Sequence, residues 1–131
     1  MADASYPDDL LYHPEHDWAR IDSADPTVAV LGITWYAQDA LGEVVYFDPP
    51  APGTIVDKDE PYAEVESVKA VSEVVAPLSG EIVDVNDALA DKPHEINEDP
   101  YGEGWLVKVR MSNPSERDGL MDADAYTASL G

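Results

Sequence analysis

Short runs of β-forming residues, each closed by turn-forming residues, constrain the fold of this chain more than any other feature. Val, Ile and Tyr dominate the runs, and clusters of Pro, Gly, Asp and Asn separate them. Many short strands with frequent turn signals are typical of an all-β sandwich or barrel. The pattern predicts strands at Trp18–Ile21, Thr27–Ile33, Val44–Phe47, Thr54–Val56, Tyr62–Val68, Val71–Ala76, Glu81–Val85 and Trp105–Met111.

Two short helices are predicted from their end signals. Thr34 can accept a hydrogen bond as the N-cap of a helix through Trp35–Leu41, and Gly42 can end it. Asp122 can cap a C-terminal helix through Ala123–Leu130 in the same way. We therefore expect a mainly β protein with small helical additions.

Length and hydrophobic content favour one compact unit. A chain of 131 residues with 44% hydrophobic residues can bury a core without disulfides or metals. We expect a single domain over residues 1–131, with about residues 1–11 as an N-terminal extension. The polar segment Asp87–Asp99 is expected to be a loop.

Composition excludes several classes of function. The chain has no cysteine, so disulfides, thiolate nucleophiles and cysteine-bound metals are ruled out, and redox chemistry would need an attached group. A net charge of -21 repels nucleic acid and anionic lipid surfaces and favours partners with basic patches. The start, Met1–Asp9, lacks the pattern of a signal peptide or presequence, and the apolar stretch Val28–Ile33 is too short to span a bilayer. A bacterial cytoplasmic protein is expected, or a mitochondrial one if a transit peptide has been removed.

One lysine occupies an unusual position. Lys69 is one of four lysines and lies between two predicted strands, at what would be a hairpin tip that projects its side chain into solvent. By itself this position has a simple explanation, because a lysine at a hairpin tip is usually a solubilising charge.

The residues around Lys69 add a resemblance to a known family. The run Glu66-Ser67-Val68-Lys69-Ala70 resembles the attachment motif of lipoyl carriers, with Gly53 ahead of it and Pro77-Leu78-Ser79-Gly80 behind. Biotinyl carriers normally show Met-Lys-Met at the attachment site, and acyltransferase lipoyl domains usually show Asp-Lys-Ala. The run Val68-Lys69-Ala70 points away from both. From about Tyr12 to the C-terminus the chain resembles the glycine cleavage H-protein family, through Gly32–Gln38, Leu41–Tyr46, Val85-Asn86, Ile96-Asn97, Pro100-Tyr101 and Gly104–Val109.

The resemblance implies a fold, a cofactor and a cycle. The fold would be a barrel-sandwich hybrid, and Lys69 would carry lipoate as an amide. The chain would have no catalytic residues. It would take the methylamine group of glycine from a pyridoxal-phosphate decarboxylase (P protein) to an aminomethyltransferase (T protein), and dihydrolipoamide dehydrogenase (L protein) would reoxidise it. A lipoate ligase or lipoyl transferase would attach the lipoate. An H-like protein that relays lipoate to other lipoyl enzymes remains open as an alternative, as does an unrelated small acidic binding or hydrolytic domain.

The resemblance also assigns two groups of site residues. Those expected to line a cleft for the methylamine-loaded arm are Glu15, Asp17, Tyr36 and Glu73. Asp17 stands where Glu is usual in the family and Tyr36 where some members have His, and we expect Asp17 to keep the negative charge that an ammonium needs. Residues expected to present Lys69 for lipoylation are Gly53, Glu66, Ser67, Val68 and Ala70.

The run His13-Pro14-Glu15-His16-Asp17 brings histidines and acids together, but a zinc site needs three or four convergent ligands. Pro14 makes presentation of these side chains from a helix improbable. We expect no metal site.

Overall fold

The computed structural model describes residues 6–130 and is built mainly of β-strands. The strands in this part of the chain are β1 Leu11–His13, β2 Asp17–Ile21, β3 Val28–Ile33, β4 Val44–Asp48, β5 Ile55–Val56, β6 Pro61–Ser67, β7 Val71–Val75, β8 Gly80–Val85 and β9 Val107–Met111. The helices are α1 Trp35–Leu41, α2 Glu95–Glu98 and α3 Ala123–Leu130, with 3-10 helices at Asp87–Ala90 and Pro114–Gly119.

The strands form two antiparallel sheets. A six-stranded sheet has the order β1-β2-β3-β9-β8-β5, and a three-stranded sheet has the order β4-β6-β7. Buried and exposed residues alternate along residues 63–67 of β6 and residues 80–82 of β8, which places every second residue of these stretches inside. β3 is buried along its whole length.

The main core is formed by the inward-facing side chains of both sheets and contains Leu31, Val65, Leu78, Ile82 and Val109, each fully buried. Burying one such side chain contributes about 1.5–3 kcal/mol. The core therefore holds the lysine-bearing sheet, β4-β6-β7, against the larger one.

A second apolar cluster attaches α3 to the larger sheet. Tyr12, Trp18 and Tyr126 are fully buried in it, and the rings of Tyr12 and Tyr126 stack with centroids 4.8 Å apart. Gly32 lies directly under Trp18, where an added Cβ would come within 2.5 Å of the indole ring. Only glycine fits at this point of β3.

All the predicted strands are present, with ends that differ by one or two residues. Both predicted helix caps are also confirmed: Ala37 N–H donates to Thr34 Oγ1 at 3.3 Å, and Ala125 N–H donates to Asp122 Oδ1 at 2.8 Å. Gly42 ends α1 with a φ of 80°.

The loop predicted over Asp87–Asp99 was wrong. The segment contains a 3-10 helix and α2, and the buried side chains of Leu89 and Ile96 hold it on the core. Two apolar residues spaced this far apart are too few to reveal helical periodicity in the sequence.

β1 was not predicted, because its three residues are too few for an alternating pattern to appear. Leu10 is 2% exposed, so packed structure begins within the segment predicted as an N-terminal extension. The extension and the single domain over residues 1–131 stay predictions. Among the described residues, no helix is long and apolar enough to cross a membrane.

Candidate functional site

Lys69 lies at the tip of the hairpin that joins β6 to β7. The strands pair with Glu66 opposite Val71 and Val65 opposite Ser72. Ser67 N–H donates to the Ala70 carbonyl at 2.8 Å and closes the turn, and Lys69 is exposed. The structure thus has the predicted hairpin with the lysine in its turn.

The side chain of Ser67 organises this turn from inside. Its hydroxyl accepts hydrogen bonds from the backbone N–H groups of Lys69 at 3.3 Å and Ala70 at 3.1 Å, and it can donate to the Ala70 carbonyl at 3.2 Å. Ser67 is only 6% exposed although its neighbours in the turn are exposed. A serine here supplies the turn with bonds that an Asn-Gly turn would make with its own backbone.

The turn is also fixed to the end of α1. Val68 N–H donates to the Glu43 carbonyl at 3.0 Å. The stem of Lys69 passes over Gly42, where an added Cβ would lie 3.5 Å from Lys69 Cε. Asn97 braces the same corner, donating from Nδ2 to the Gly42 carbonyl at 2.7 Å. The lysine therefore extends from a turn held in place by its neighbours.

A cleft of about 340 Å³ opens beside the lysine turn. It begins at Ala70 and Val71, one and two residues after Lys69. Its walls come from the β1–β2 turn, the start of β2, the end of β3, α1 and β7. The lining residues are Glu15, His16, Asp17, Ile33, Tyr36, Ala37, Ala40, Leu41, Ala70, Val71, Ser72, Glu73 and Val74. The structure brings all four residues predicted for the arm cleft together in this one space.

These four residues differ in their exposure. Glu15, Tyr36 and Glu73 are exposed, with Tyr36 at 42%, whereas Asp17 is 2% exposed. Burial raises the pKa of Asp17 well above its usual 3.8, and the charge of Glu15 raises it further. In the empty cleft, burial therefore shifts the acid–base balance of Asp17 toward its neutral form. The arm-cleft roles of these four residues stay predictions.

A hydrogen-bond chain joins the cleft wall to α3. His16 Nδ1 lies 2.7 Å from the Tyr126 hydroxyl, which lies 2.8 Å from Thr34 Oγ1. The ring of His16 contacts that of Tyr36, with centroids 4.4 Å apart. Desolvation lowers the pKa of His16 below its usual value, which favours the neutral imidazole in this wall. His16 adopts a φ of 73°, and its N–H bond to the His13 carbonyl at 2.9 Å closes the turn.

The nearby His13 is engaged outside the cleft. Its Nδ1 accepts from Glu15 N–H at 3.0 Å, so its proton lies on Nε2, which donates to Asp59 Oδ1 at 2.6 Å. That bond lowers the pKa of Asp59. Over residues 6–130 no group of three or more His, Asp or Glu side chains could hold a metal ion.

The residues predicted to present the lysine are not all close together. Glu66 and Val68 are exposed on or next to the hairpin, and Ala70 lies in the turn itself. Gly53 lies elsewhere, because its N–H donates to the Ile82 carbonyl of β8 at 2.7 Å, in the six-stranded sheet. Its φ of 92° explains the glycine by backbone conformation alone.

Several residues that shape this region had no predicted site role. His16 lies in the cleft wall, Tyr126 reaches it from α3, and Asn97 fixes the end of α1 to the start of β4. Asn97 and Tyr126 lie far along the chain from the cleft residues that they support. No local pattern in the sequence could have indicated those contacts.

Two small sheets that hold an exposed hairpin lysine beside a cleft define a carrier domain of the lipoyl type, with a barrel-sandwich fold. The sequence profile of the glycine cleavage H-protein family matches residues 10–131. A glycine cleavage system H protein of Myxococcus xanthus is 49% identical over 130 residues, covering 99% of this chain and 98% of that protein. One from Halorhodospira halophila is 51% identical over 120 residues, covering 92% and 91%.

A solved structure gives the same result. The crystal structure of a glycine cleavage system H protein from Mycobacterium marinum superposes with a TM-score of 0.85 at 40% identity, covering 95% of this chain and 98% of that one. This confirms the predicted fold class. The chain belongs to the glycine cleavage H-protein family, whose members are lipoyl carriers in glycine cleavage.

Proposed function

We propose that this chain carries lipoate as an amide on Lys69 and shuttles the methylamine group of glycine from the P protein to the T protein, after which the L protein reoxidises it. The observation that carries the proposal is the position of Lys69, exposed in a braced turn and directly beside a cleft lined with carboxyl groups. Lipoate supplies a two-electron disulfide on a flexible arm. The residues of the chain present and shelter it.

The hairpin turn would present Lys69 to the enzyme that attaches lipoate. The bonds from Ser67 and from the Glu43 carbonyl hold the backbone of residues 68–70 in one conformation. A ligase therefore meets a fixed backbone with one mobile side chain, which lowers the ordering cost of recognition. Glu66, Val68 and Ala70 offer side chains near the turn that the modifying enzyme can contact.

The cleft would shelter the lipoyl arm and its cargo from water. Ile33, Leu41 and Val74 supply apolar walls that favour the hydrocarbon part of an arm and exclude water. Glu15 and Glu73 place carboxylates at the exposed rim, where they attract an ammonium. This combination suits an aliphatic chain that ends in a cation.

The charge of the chain bears on its partners. A net charge of -21 favours encounters with enzymes that present basic patches, and screening by salt would slow those encounters. Tethering the cargo converts each delivery into a search at high local concentration. We propose the P, T and L proteins as these partners and the bacterial cytoplasm as the location.

The first test is the mass of the protein after incubation with a lipoate ligase, lipoate and ATP. The parent chain is expected to gain one lipoyl group, and fragmentation is expected to place it on Lys69. Lys69→Arg keeps the charge but cannot form the amide, so it should gain nothing. Lys92→Arg changes an exposed lysine far along the chain and should be modified like the parent.

The second test uses the lipoylated protein with purified P protein and labelled bicarbonate. Exchange of label into the glycine carboxyl is expected with the parent and with Lys92→Arg. It should be absent with Lys69→Arg. Full exchange by Lys69→Arg, or modification of another lysine, would overturn the proposal.

A further inference from the structure

The buried end of the arm cleft contains a carboxyl oxygen with no partner. Among residues 6–130, two buried side-chain nitrogen or oxygen atoms lack a hydrogen bond, and these are Asp17 Oδ2 and the Tyr62 hydroxyl. Buried polar atoms are nearly always paired, so each exception needs an explanation. Asp17 is one of the residues that line the cleft.

No cation of the described residues pairs with Asp17. From β1, His13 Nδ1 is 3.9 Å from Oδ2, but that nitrogen already accepts the Glu15 N–H and has no proton to offer. None of the ion pairs formed by residues 6–130 joins Asp17 to a Lys or Arg side chain.

The other groups around Asp17 do not compensate a negative charge either. Titratable side chains also face it from the β1–β2 turn, α1, β6, β7 and α3, and they are Glu15, His16, Tyr36, Tyr62, Glu73 and Tyr126. Glu15 and Glu73 are acids that oppose a second negative charge, and His16 favours its neutral form. An ionised Asp17 in the empty cleft would thus be a buried charge with nothing to balance it.

We propose that Asp17 is a proton-exchanging receptor for the cargo ammonium, neutral in the unloaded protein and ionised when the loaded arm occupies the cleft. The inference rests on the proposed function, since it requires the arm to enter this cleft. The balance is simple: the carboxyl O–H bond breaks, its proton goes to solvent, and the carboxylate pairs with the arriving ammonium. No electron transfer is involved.

Loading then becomes pH-dependent in a defined direction. Because one proton is released as the cation binds, raising the pH favours the occupied cleft. The limit is ten-fold per pH unit, and the dependence ends above the pKa of Asp17 in the unloaded protein. The raised pKa of Asp17 in the empty cleft is consistent with this exchange.

The test is a pH titration of Asp carboxyl carbons by NMR in three forms of the protein, which are unlipoylated, lipoylated and methylamine-loaded. Through-bond correlation to the backbone assigns Asp17, and loss of the signal in Asp17→Asn checks the assignment. We expect the two unloaded forms to titrate well above 3.8. The loaded form should titrate at least one unit lower than they do, a ten-fold change in proton affinity.

Equal midpoints in loaded and unloaded protein, or an unloaded midpoint near 3.8, would overturn the inference. Nuclear Overhauser contacts between the arm methylene and the Tyr36 ring separate the two proposals. With contacts present and the Asp17 midpoint unchanged, proton exchange fails and the cleft role stands. With contacts absent, the cleft role itself fails, and the inference with it.

A variant pair gives an independent check. Asp17→Asn keeps the side-chain shape but cannot ionise, so the fraction of arm held in the cleft should no longer rise with pH. Glu73→Gln removes one charge from the exposed rim of the same cleft and should weaken binding while keeping the rise with pH. A rise that persists in Asp17→Asn would contradict the proposal.

Discussion

Replacing Ser67 by alanine removes the side chain that holds the lysine turn in shape. The two N–H bonds that its hydroxyl accepts, at 3.3 and 3.1 Å, would be lost. Each such bond contributes about 0.5–1.5 kcal/mol net. Because the freed amides of Lys69 and Ala70 are exposed and can turn to water, we expect a loss at the lower end of the sum, about 1–2 kcal/mol.

The loss should appear locally. The backbone bond from Ser67 N–H to the Ala70 carbonyl, 2.8 Å long, does not depend on the hydroxyl, so the hairpin stays paired. A change of this size corresponds to roughly 5–30-fold faster hydrogen exchange at Lys69 and Ala70. Lipoylation by the ligase should slow as well, since the turn is no longer preformed.

The assay is amide exchange followed by NMR, together with the initial rate of lipoylation. Ser72→Ala is the matched control, because the Ser72 hydroxyl makes one long contact of 3.4 Å, with the Glu73 carbonyl, outside the turn. Exchange at Lys69 and Ala70 within two-fold of the parent in Ser67→Ala would refute the reasoning. So would an equal slowing of lipoylation in Ser72→Ala.

Three further substitutions test the scaffold. Gly32→Ala should lower the thermal midpoint by several degrees, a loss of about 1–3 kcal/mol or more, because its methyl group would press into the Trp18 ring. Gly119→Ala is the control: an added methyl group has room there, so the thermal midpoint should not fall. Folding raises the pKa of Asp17, so its protonation stabilises the folded protein below pH 3.8, and this stability is lost as the pH rises through the higher folded pKa. Asp17→Asn cannot ionise and should therefore gain stability relative to the parent as the pH rises. A stability difference that stays constant with pH would contradict this. Asn97→Ala removes the hydrogen bonds of this side chain to Val44 N–H, at 2.8 Å, and to the Gly42 carbonyl, at 2.7 Å. The free energy of unfolding measured in urea should fall by about 1–3 kcal/mol, and an unchanged value would contradict this.

Much of the fold could be predicted from the sequence because it is encoded over short distances. Alternation along β6 and β8 depends on neighbouring residues, and so do the Thr34 cap and the end of α1 at Gly42. The position of Lys69 between two such strands is a local property too. These features need only the preferences of a few adjacent residues.

Prediction failed where a few contacts outweigh local preference. β1 has too few residues to show a period and forms because β2 offers a partner to pair with. The polar segment around Ile96 becomes helical because that one side chain is fully buried. In both cases tertiary packing selects the structure.

The sequence by itself determined the strand pattern, both helix caps, the hairpin lysine and the family resemblance that named the cleft residues. Tertiary structure decided the size and the walls of that cleft, a space of about 340 Å³ that Asp17, Tyr36 and Glu73 line from separate elements. It also decided that the pKa of Asp17 lies well above its usual value, since the cost of ionising a carboxyl group depends on the water and charges that surround it. A residue's chemical type is written in the sequence, but its solvation is set by whatever packs against it from elsewhere in the chain.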